Sequence, residues 1–320
     1  MIRHWLGALA LMMNTAAPQA AQPFPSQPIR LIVTTSPGTG SDTIARMLES
    51  GMSQALGKPV IVENRPGAGG ALGMDLVARA DPDGHTIVLG ANGTMIAVPA
   101  MNPDVIKYRM TDFAPVAGLL RAPFVIVTAN DERAPKNVGE LVERTRGEPP
   151  SYGSSGIGTI THLASEMFLF RTGGKAVHVP YRGSNQSLAD VIAGNVLFVS
   201  DTLPAALPLI RGGKLRALAV TTDKRVPNLP DVPTLIESGY PDLVASGWWG
   251  LLAPAGTPPD VVKKLNAAAL QAMQTPEARK RIEALELKVM GQSPDAFAAF
   301  IKKEGPVWTD LITKANIRSE

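Results

Sequence analysis

Four segments of the 320-residue chain set glycines beside short hydroxyl side chains: Ser36-Pro-Gly-Thr-Gly-Ser-Asp42, Asn64-Arg-Pro-Gly-Ala-Gly-Gly70, Gly90-Ala-Asn-Gly-Thr94 and Tyr152-Gly-Ser-Ser-Gly-Ile-Gly-Thr159. Where such a segment opens a helix, its first N–H groups have no partner inside the helix, and the positive end of the helix dipole lies behind them. That arrangement binds a carboxylate or phosphate without a lysine. The plainer reading of any one segment is a tight turn, with Ser41, Asp42, Ser155 or Thr161 only capping a helix. Four of them in one chain favour anion binding.

Catalytic chemistry fits less well. Gly38-x-Gly40 after an apolar run hints at a dinucleotide fingerprint, but the third glycine position is Thr43, and Asp42 would set a carboxylate against the pyrophosphate. Gly67-x-Gly69 has Leu72 at its third position, and no Walker motif occurs. An exported acyl hydrolase using Ser154 or Ser155 is the main enzymatic alternative. The G-x-S-x-G elbow is missing, however, and His162, close behind on the same helix, is badly placed to serve either serine. His85 and His178 have no metal-like spacing with a carboxylate and read as structural or surface residues. No metal and no cofactor is expected.

The elements that must position these segments alternate between strand and helix, the pattern of βαβ units with a mostly parallel sheet. Strands are expected at Ile29–Thr34, Pro59–Val62 and Thr86–Leu89. Between them, Ile44, Ala45, Leu48, Met52 and Leu56 fall on one helical face, and a second helix runs from Gly70 to about Ala80. A new series starts at Phe124–Thr128. It continues through helices at 137–145, 161–170 and 184–193 and strands at 176–179, 196–199 and 215–221. Trp248–Ala253 then returns the chain to the first unit, followed by helices at 258–273, 276–286 and 294–303, each opening at a proline. The expected division is residues 1–23 as a signal peptide, 24–122 plus 248–320 as lobe 1, and 123–247 as lobe 2.

Arg3 and His4 before the apolar run Trp5–Met13, then small residues and Pro up to Pro23, give the order of a secretory signal. The expected location is periplasmic, with the signal removed. There is no cysteine, so disulfides and thiolate metal sites are excluded. The 31 basic and 28 acidic residues leave a net charge of +3 with no basic stripe, which argues against nucleic acid as a partner.

Together these segments resemble the tripartite tricarboxylate transporter substrate-binding receptors, the Bug receptors. The markers run in order through Pro37–Asp42, Val62–Gly70, Pro82–Gly84, Tyr152–Gly156, His178–Ser184, Gly213–Val220, Leu229–Thr234 and Gly250–Pro258. The resemblance implies an α/β, two-lobe type II periplasmic-binding-protein fold with mixed, mostly parallel sheets and a ligand cleft between the lobes. It implies binding of a small carboxylated molecule by backbone amides and hydroxyls, with no reaction. On this chain the first ligand loop is Pro37, Gly38, Thr39, Gly40 and Asp42; the second is Ser154, Ser155, Gly156 and Thr159. The segment from Tyr181 to Ser184, together with Asp201, contributes further, and Asn92 is the candidate at the third glycine segment. The implied partners are the membrane permease subunits of such a transporter, and the chain is expected to be a monomer. A ligand sensor for a membrane kinase would use the same fold. The chain leaves the family pattern at Thr35, Thr39, Ser200 and Thr202, which predicts a more polar pocket.

Overall fold

The computed structural model describes residues 23–317. The signal-peptide expectation therefore lies, apart from Pro23, outside the described residues.

The first sheet begins with two βα steps and a third strand. β1 (Ile29–Val33) leads to α1 (Gly40–Leu56), β2 (Val60–Asn64), α2 (Ala71–Ala78) and β3 (Thr86–Ala91). β1 lies between β2 and β3, parallel to both. α1 buries Ile44, Ala45, Leu48 and Met52, the face read from the sequence spacing, and stops at Gly57, whose φ of 67° closes the helix in the left-handed conformation. A π-helical turn at Gly93–Ala97 and the short α3 (Val98–Met101) follow. Neither was expected, because Pro99 breaks the helical pattern there.

β4 (Phe113–Ala129) is far longer than the expected strand at Phe124–Thr128. Its first half was hidden by Pro115, Gly118 and Pro123, which dilute a strand signal; irregularities at Pro115/Ala117 and Gly118/Leu120 absorb two of them. This strand changes partners along its length. Pro123 pairs with Ser246 on one side of the changeover, and Phe124 pairs with Thr202 on the other.

The second sheet comprises α4 (Val138–Arg146), β5 (Ser151–Ser154), α5 (Ile160–Thr172), β6 (Val177–Pro180), α6 (Ser184–Ala193), β7 (Phe198–Thr202), α7 (Leu203–Arg211) and β8 (Leu215–Val220) with their connections. β6, β5 and β7 are parallel, while β7 and β8 both run antiparallel to β4. Sequence reasoning missed α7, since Pro204 and Pro208 both fall inside it.

β9 (Ser246–Pro254) then pairs antiparallel with β3 and β4, back in the first sheet. α8 (Pro259–Ala272), α9 (Pro276–Ala284), the two-residue β10 (Lys288–Val289) and α10 (Pro294–Lys314) complete the chain. α10 runs well past the expected end at Lys303, through Gly305 and Pro306. Burial of Trp308, Leu311 and Ile312 beyond the proline offsets the lost backbone bond. Gly51 of α1 faces α8, where an added Cβ would meet Ala272 Cα at 2.7 Å; only a glycine lets the two helices approach so closely.

The two sheets share β4, so the hydrogen-bonded path reads β2-β1-β3-β9-β4-β7-β5-β6. Each is covered by helices, giving a two-lobe α/β fold. The central strand β9 carries Trp248 and Trp249 to opposite faces, both buried. Trp248 packs edge-on against Phe297 of α10, while Trp249 reaches α1. Burying each ring contributes at most roughly 4–6 kcal/mol of transfer free energy.

Candidate functional site

Between the lobes lies a cavity of about 370 Å³. Its wall is built largely from helix N-termini: α1 and its cap Thr39 from the first lobe, and α5 with Thr159, α6 with Ser184, and α7 with Thr202 from the second. Their dipoles turn positive ends towards this space without a buried cation.

The two principal loops have the same local construction. Thr39 caps α1 by accepting from Asp42 N–H, and Thr159 caps α5 by accepting from His162 N–H. The glycine before each cap has positive φ, 82° at Gly38 and 73° at Gly158. Its N–H turns back onto the third helical side chain: Gly38 N–H donates to Asp42 Oδ2 at 2.9 Å, and Gly158 N–H donates to His162 Nδ1 at 3.1 Å. With those donors engaged, the first two helical amides, Gly40 and Ser41 in α1 and Ile160 and Thr161 in α5, have no acceptor inside their helices. All four residues line the cavity. The plainer reading of the sequence offered Ser41, Asp42, Ser155 or Thr161 as caps; Thr39 and Thr159, two to four positions away, do that work instead.

The supports behind the loops differ. Asp42 is buried, yet its pKa is lowered: burial raises it, and the hydrogen bonds from Arg46, Gly38 N–H and Asn64 together outweigh that effect. In the second lobe, burial keeps His162 neutral, with its pKa pushed down to about 3. His162 stacks on His178 at 4.0 Å, and His178, held down at about 4 by burial, bonds Ser154 Oγ at 2.7 Å. Tyr152 donates to Glu166, whose carboxyl burial pushes up.

Eight of the residues expected from sequence line the cavity: Thr39, Gly40, Ser155, Gly156 and Thr159, and further along the chain Tyr181, Ser184 and Asp201. Pro37, Gly38, Asp42, Asn92 and Ser154 do not line it: Pro37 and Gly38 are exposed, and Asp42, Asn92 and Ser154 are buried. Gly38 and Asp42 hold the first loop as described, and Ser154 holds the second through His178. Asn92 is fully buried beside Trp248, whose N–H it accepts at 3.4 Å, and its Nδ2 finds no acceptor. Tyr181 faces the cavity but donates its hydroxyl to Asp190 at 2.5 Å, and burial with that bond pushes its pKa up to about 12.

Asp201 is wholly buried, which raises its pKa to about 6. Its Oδ1 accepts from Ser184 Oγ and from Thr202 N–H, while Oδ2 has no partner.

Sequence reasoning gave Trp249 no role at the site. Trp249 closes one wall and donates Nε1–H to Ser41 Oγ at 2.8 Å, from 208 positions away. Arg182, inside the His178–Ser184 marker, also faces the space. Thr94 and Gly93 line it as well, although Asn92 between the same glycines does not. The departures Thr35, Thr39 and Thr202 are all in the wall, and Thr35 and Thr39 hydroxyls meet at 2.6 Å. Ser200 is buried outside it.

The lobes touch around this space. A Cβ on Gly93 would lie 2.7 Å from the Gly158 carbonyl oxygen, and one on Gly69 would lie 2.7 Å from that of Ile157. Ser154 with His178 is a serine–histidine pair, but the serine hydroxyl also donates to Gly156 O and accepts from Gly156 N–H, and Ser154 is fully buried. Among the described residues no cluster of three metal-ligating side chains occurs, and no helix is long and apolar enough to cross a membrane.

Comparison with known proteins gives the family and the fold. BugT of Bordetella pertussis is 33% identical over 98% of this chain and 97% of its own. MatC of Rhodopseudomonas palustris, solved with bound malate, superposes with a TM-score of 0.85 at 32% identity, covering 90% of this chain and 100% of MatC. Another R. palustris protein, solved with adipate, gives a TM-score of 0.86 at 30% identity, over 92% of this chain and 99% of that one. The family model for the tripartite tricarboxylate transporter family receptor matches residues 44–317, and the chain belongs to that family of solute-binding receptors.

Proposed function

We propose that this protein is a periplasmic receptor that closes its lobes over a small carboxylated organic molecule and releases it unchanged. The observation that carries this reading is the pair of matched, capped helix N-termini, one per lobe, whose first residues Gly40, Ser41, Ile160 and Thr161 line one cavity between the lobes. A carboxylate there gains hydrogen bonds from both lobes only when they are closed, so binding and closure are one event. The malate and adipate held by structural relatives are acids of a size that such a cavity accommodates.

Thr39, Gly40, Ser155, Gly156 and Thr159 would contact the ligand, with Tyr181, Ser184 and Asp201 around its far side. Pro37, Gly38, Asp42, Asn92 and Ser154 would shape those contacts without lining the cavity. The lobes are taken as 24–122 plus 248–320, and 123–247, a division supported by the change of β4 partners between Pro123 and Phe124. The receptor would act as an exported monomer, its leader removed, and deliver ligand to the permease subunits of a tripartite tricarboxylate transporter.

A thermal-shift screen across di- and tricarboxylates, aromatic acids and amino acids tests the reading. A ligand at 100 times its dissociation constant should add about 2.7 kcal/mol of stability. Turnover of any hit, or stabilisation only by molecules lacking a carboxylate, would overturn it.

A further inference from the structure

A second cavity, of about 460 Å³, shares Ile157 of the second loop with the first. One side of it is formed by His162 and Glu166 of α5 and by Val177 and His178 of β6, the edge strand of the second sheet. The other side is Ala315–Ile317, the turn after α10, and α10 packs through Phe297 on Trp248 of the first sheet. Among the described residues no lysine or arginine lines this space, and burial holds both histidines neutral, so Glu166 is its one group able to carry a charge. Glu166 Oε1 accepts from the Tyr152 hydroxyl, while Oε2 has no hydrogen-bond donor among the described residues. His162 is only 3% exposed, and its Nδ1 accepts from Gly158 N–H, so the neutral ring carries its proton on Nε2. That nitrogen stands 3.9 Å from Glu166 Oε1, beyond a hydrogen bond, and meets no other acceptor among the described residues. An acidic acceptor and a neutral donor therefore face one cavity with apolar walls, each lacking a protein partner.

We infer that this cavity is a second binding site, for a small amino alcohol whose ammonium pairs with Glu166 and whose hydroxyl accepts from His162 Nε2–H, with its apolar body against Ile157, Val177 and Ile317. The ammonium answers the one ionisable group of the cavity, and the hydroxyl answers the donor that the protein leaves unused. Because the walls come from both lobes, an occupant favours the closed form, so it and the carboxylate in the first cavity raise each other's affinity by the same factor. The site stands on its own residues; the coupling alone rests on the carboxylate-receptor reading above.

The test is calorimetric titration of the purified protein with leucinol, with 3-methylbutylamine, which lacks the hydroxyl, and with 4-methylpentan-1-ol, which lacks the ammonium. Leucinol should bind at least about tenfold tighter than the alcohol and about threefold tighter than the amine, the margins of a charge-assisted and a neutral hydrogen bond. Glu166→Gln keeps an acceptor for Tyr152 and should erase the first margin. Val177→Trp fills the cavity from an exposed position and should abolish leucinol binding in a protein that still folds. Saturation with the tightest acid among succinate, glutarate, citrate and benzoate should tighten leucinol at least about threefold. Equal binding of leucinol and the alcohol, a margin that survives Glu166→Gln, binding that survives Val177→Trp, or leucinol affinity unmoved by a bound acid overturns the inference and leaves the receptor reading standing. Binding of none of the four acids overturns the receptor reading and the coupling, and the leucinol margin still decides the site.

Discussion

The loops Pro37–Asp42 and Ser154–His162 solve one problem with different chemistry. Each has a positive-φ glycine, a threonine cap and an acceptor three residues into the helix that takes the glycine N–H. In the first lobe the acceptor is a carboxylate, Asp42, tied to half-exposed Arg46 and to Asn64. In the second it is a neutral imidazole, His162, buried in a stack with His178 and Tyr152. An ionised acceptor is tolerable only where a cation and solvent are close; deeper in the protein the same bond must come from an uncharged group. The geometry facing the ligand is therefore common to both lobes, and the sensitivity to pH and salt is not.

The contrast can be broken most severely by His162→Asp, which moves the first lobe's acceptor into the second without an equivalent of Arg46. An unpaired buried carboxylate there should cost about 3–5 kcal/mol in a denaturant titration. A near-neutral result would mean that the stack does not exclude charge. Acid provides the next largest effect. The folded pKa values of His162 and His178, about 3 and 4, lie below the unfolded value of 6.5. Their contribution is therefore complete above 6.5 and is lost as the pH falls through 4. Stability should drop by at least about 3 kcal/mol by pH 4, with exchange-protection loss beginning in the 154–162 loop.

Gly93→Ala tests whether the two loops share one closed space. The added methyl strikes Gly158 O, and if it cuts the closed population to about 1%, ligand affinity should fall about 100-fold with little change in the fold of either lobe. Unaltered affinity would mean that the lobes need not meet there. The smallest change is Asp42→Asn, which keeps the shape, removes the ion pair with exposed Arg46 and turns an amide NH2 towards one of the donors the carboxylate accepted. It should cost about 1–3 kcal/mol, only part of it sensitive to salt, as measured by paired melts.

Much of this was legible in the sequence because it is local. The α1 face, the glycine segments and the strand-helix alternation follow from spacing along a few turns, and the glycine segments led to Thr39, Gly40, Ser155, Gly156 and Thr159 of the cavity wall; Tyr181, Ser184 and Asp201 came from the family resemblance. What escaped was set by contacts distant in sequence. Thr39 and Thr159 look no different from neighbouring hydroxyls until the backbone turns at Gly38 and Gly158 choose them as caps. His178 is an isolated histidine until β6 lies beside β5 and brings it to Ser154. Trp249 reaches Ser41 only because β9 returns to the first sheet, and the front half of β4 is a strand because it pairs with β9 despite its prolines.

The central claim is that the cavity encloses a small organic acid and leaves it unaltered. Native mass spectrometry of the protein purified gently from an exporting host, followed by denaturation and identification of the released molecule, tests that most directly. The account predicts one equivalent of a small carboxylic acid per chain, recovered intact and exchangeable with added acid. A retained molecule without a carboxylate, or an added acid recovered as a reaction product, would contradict it.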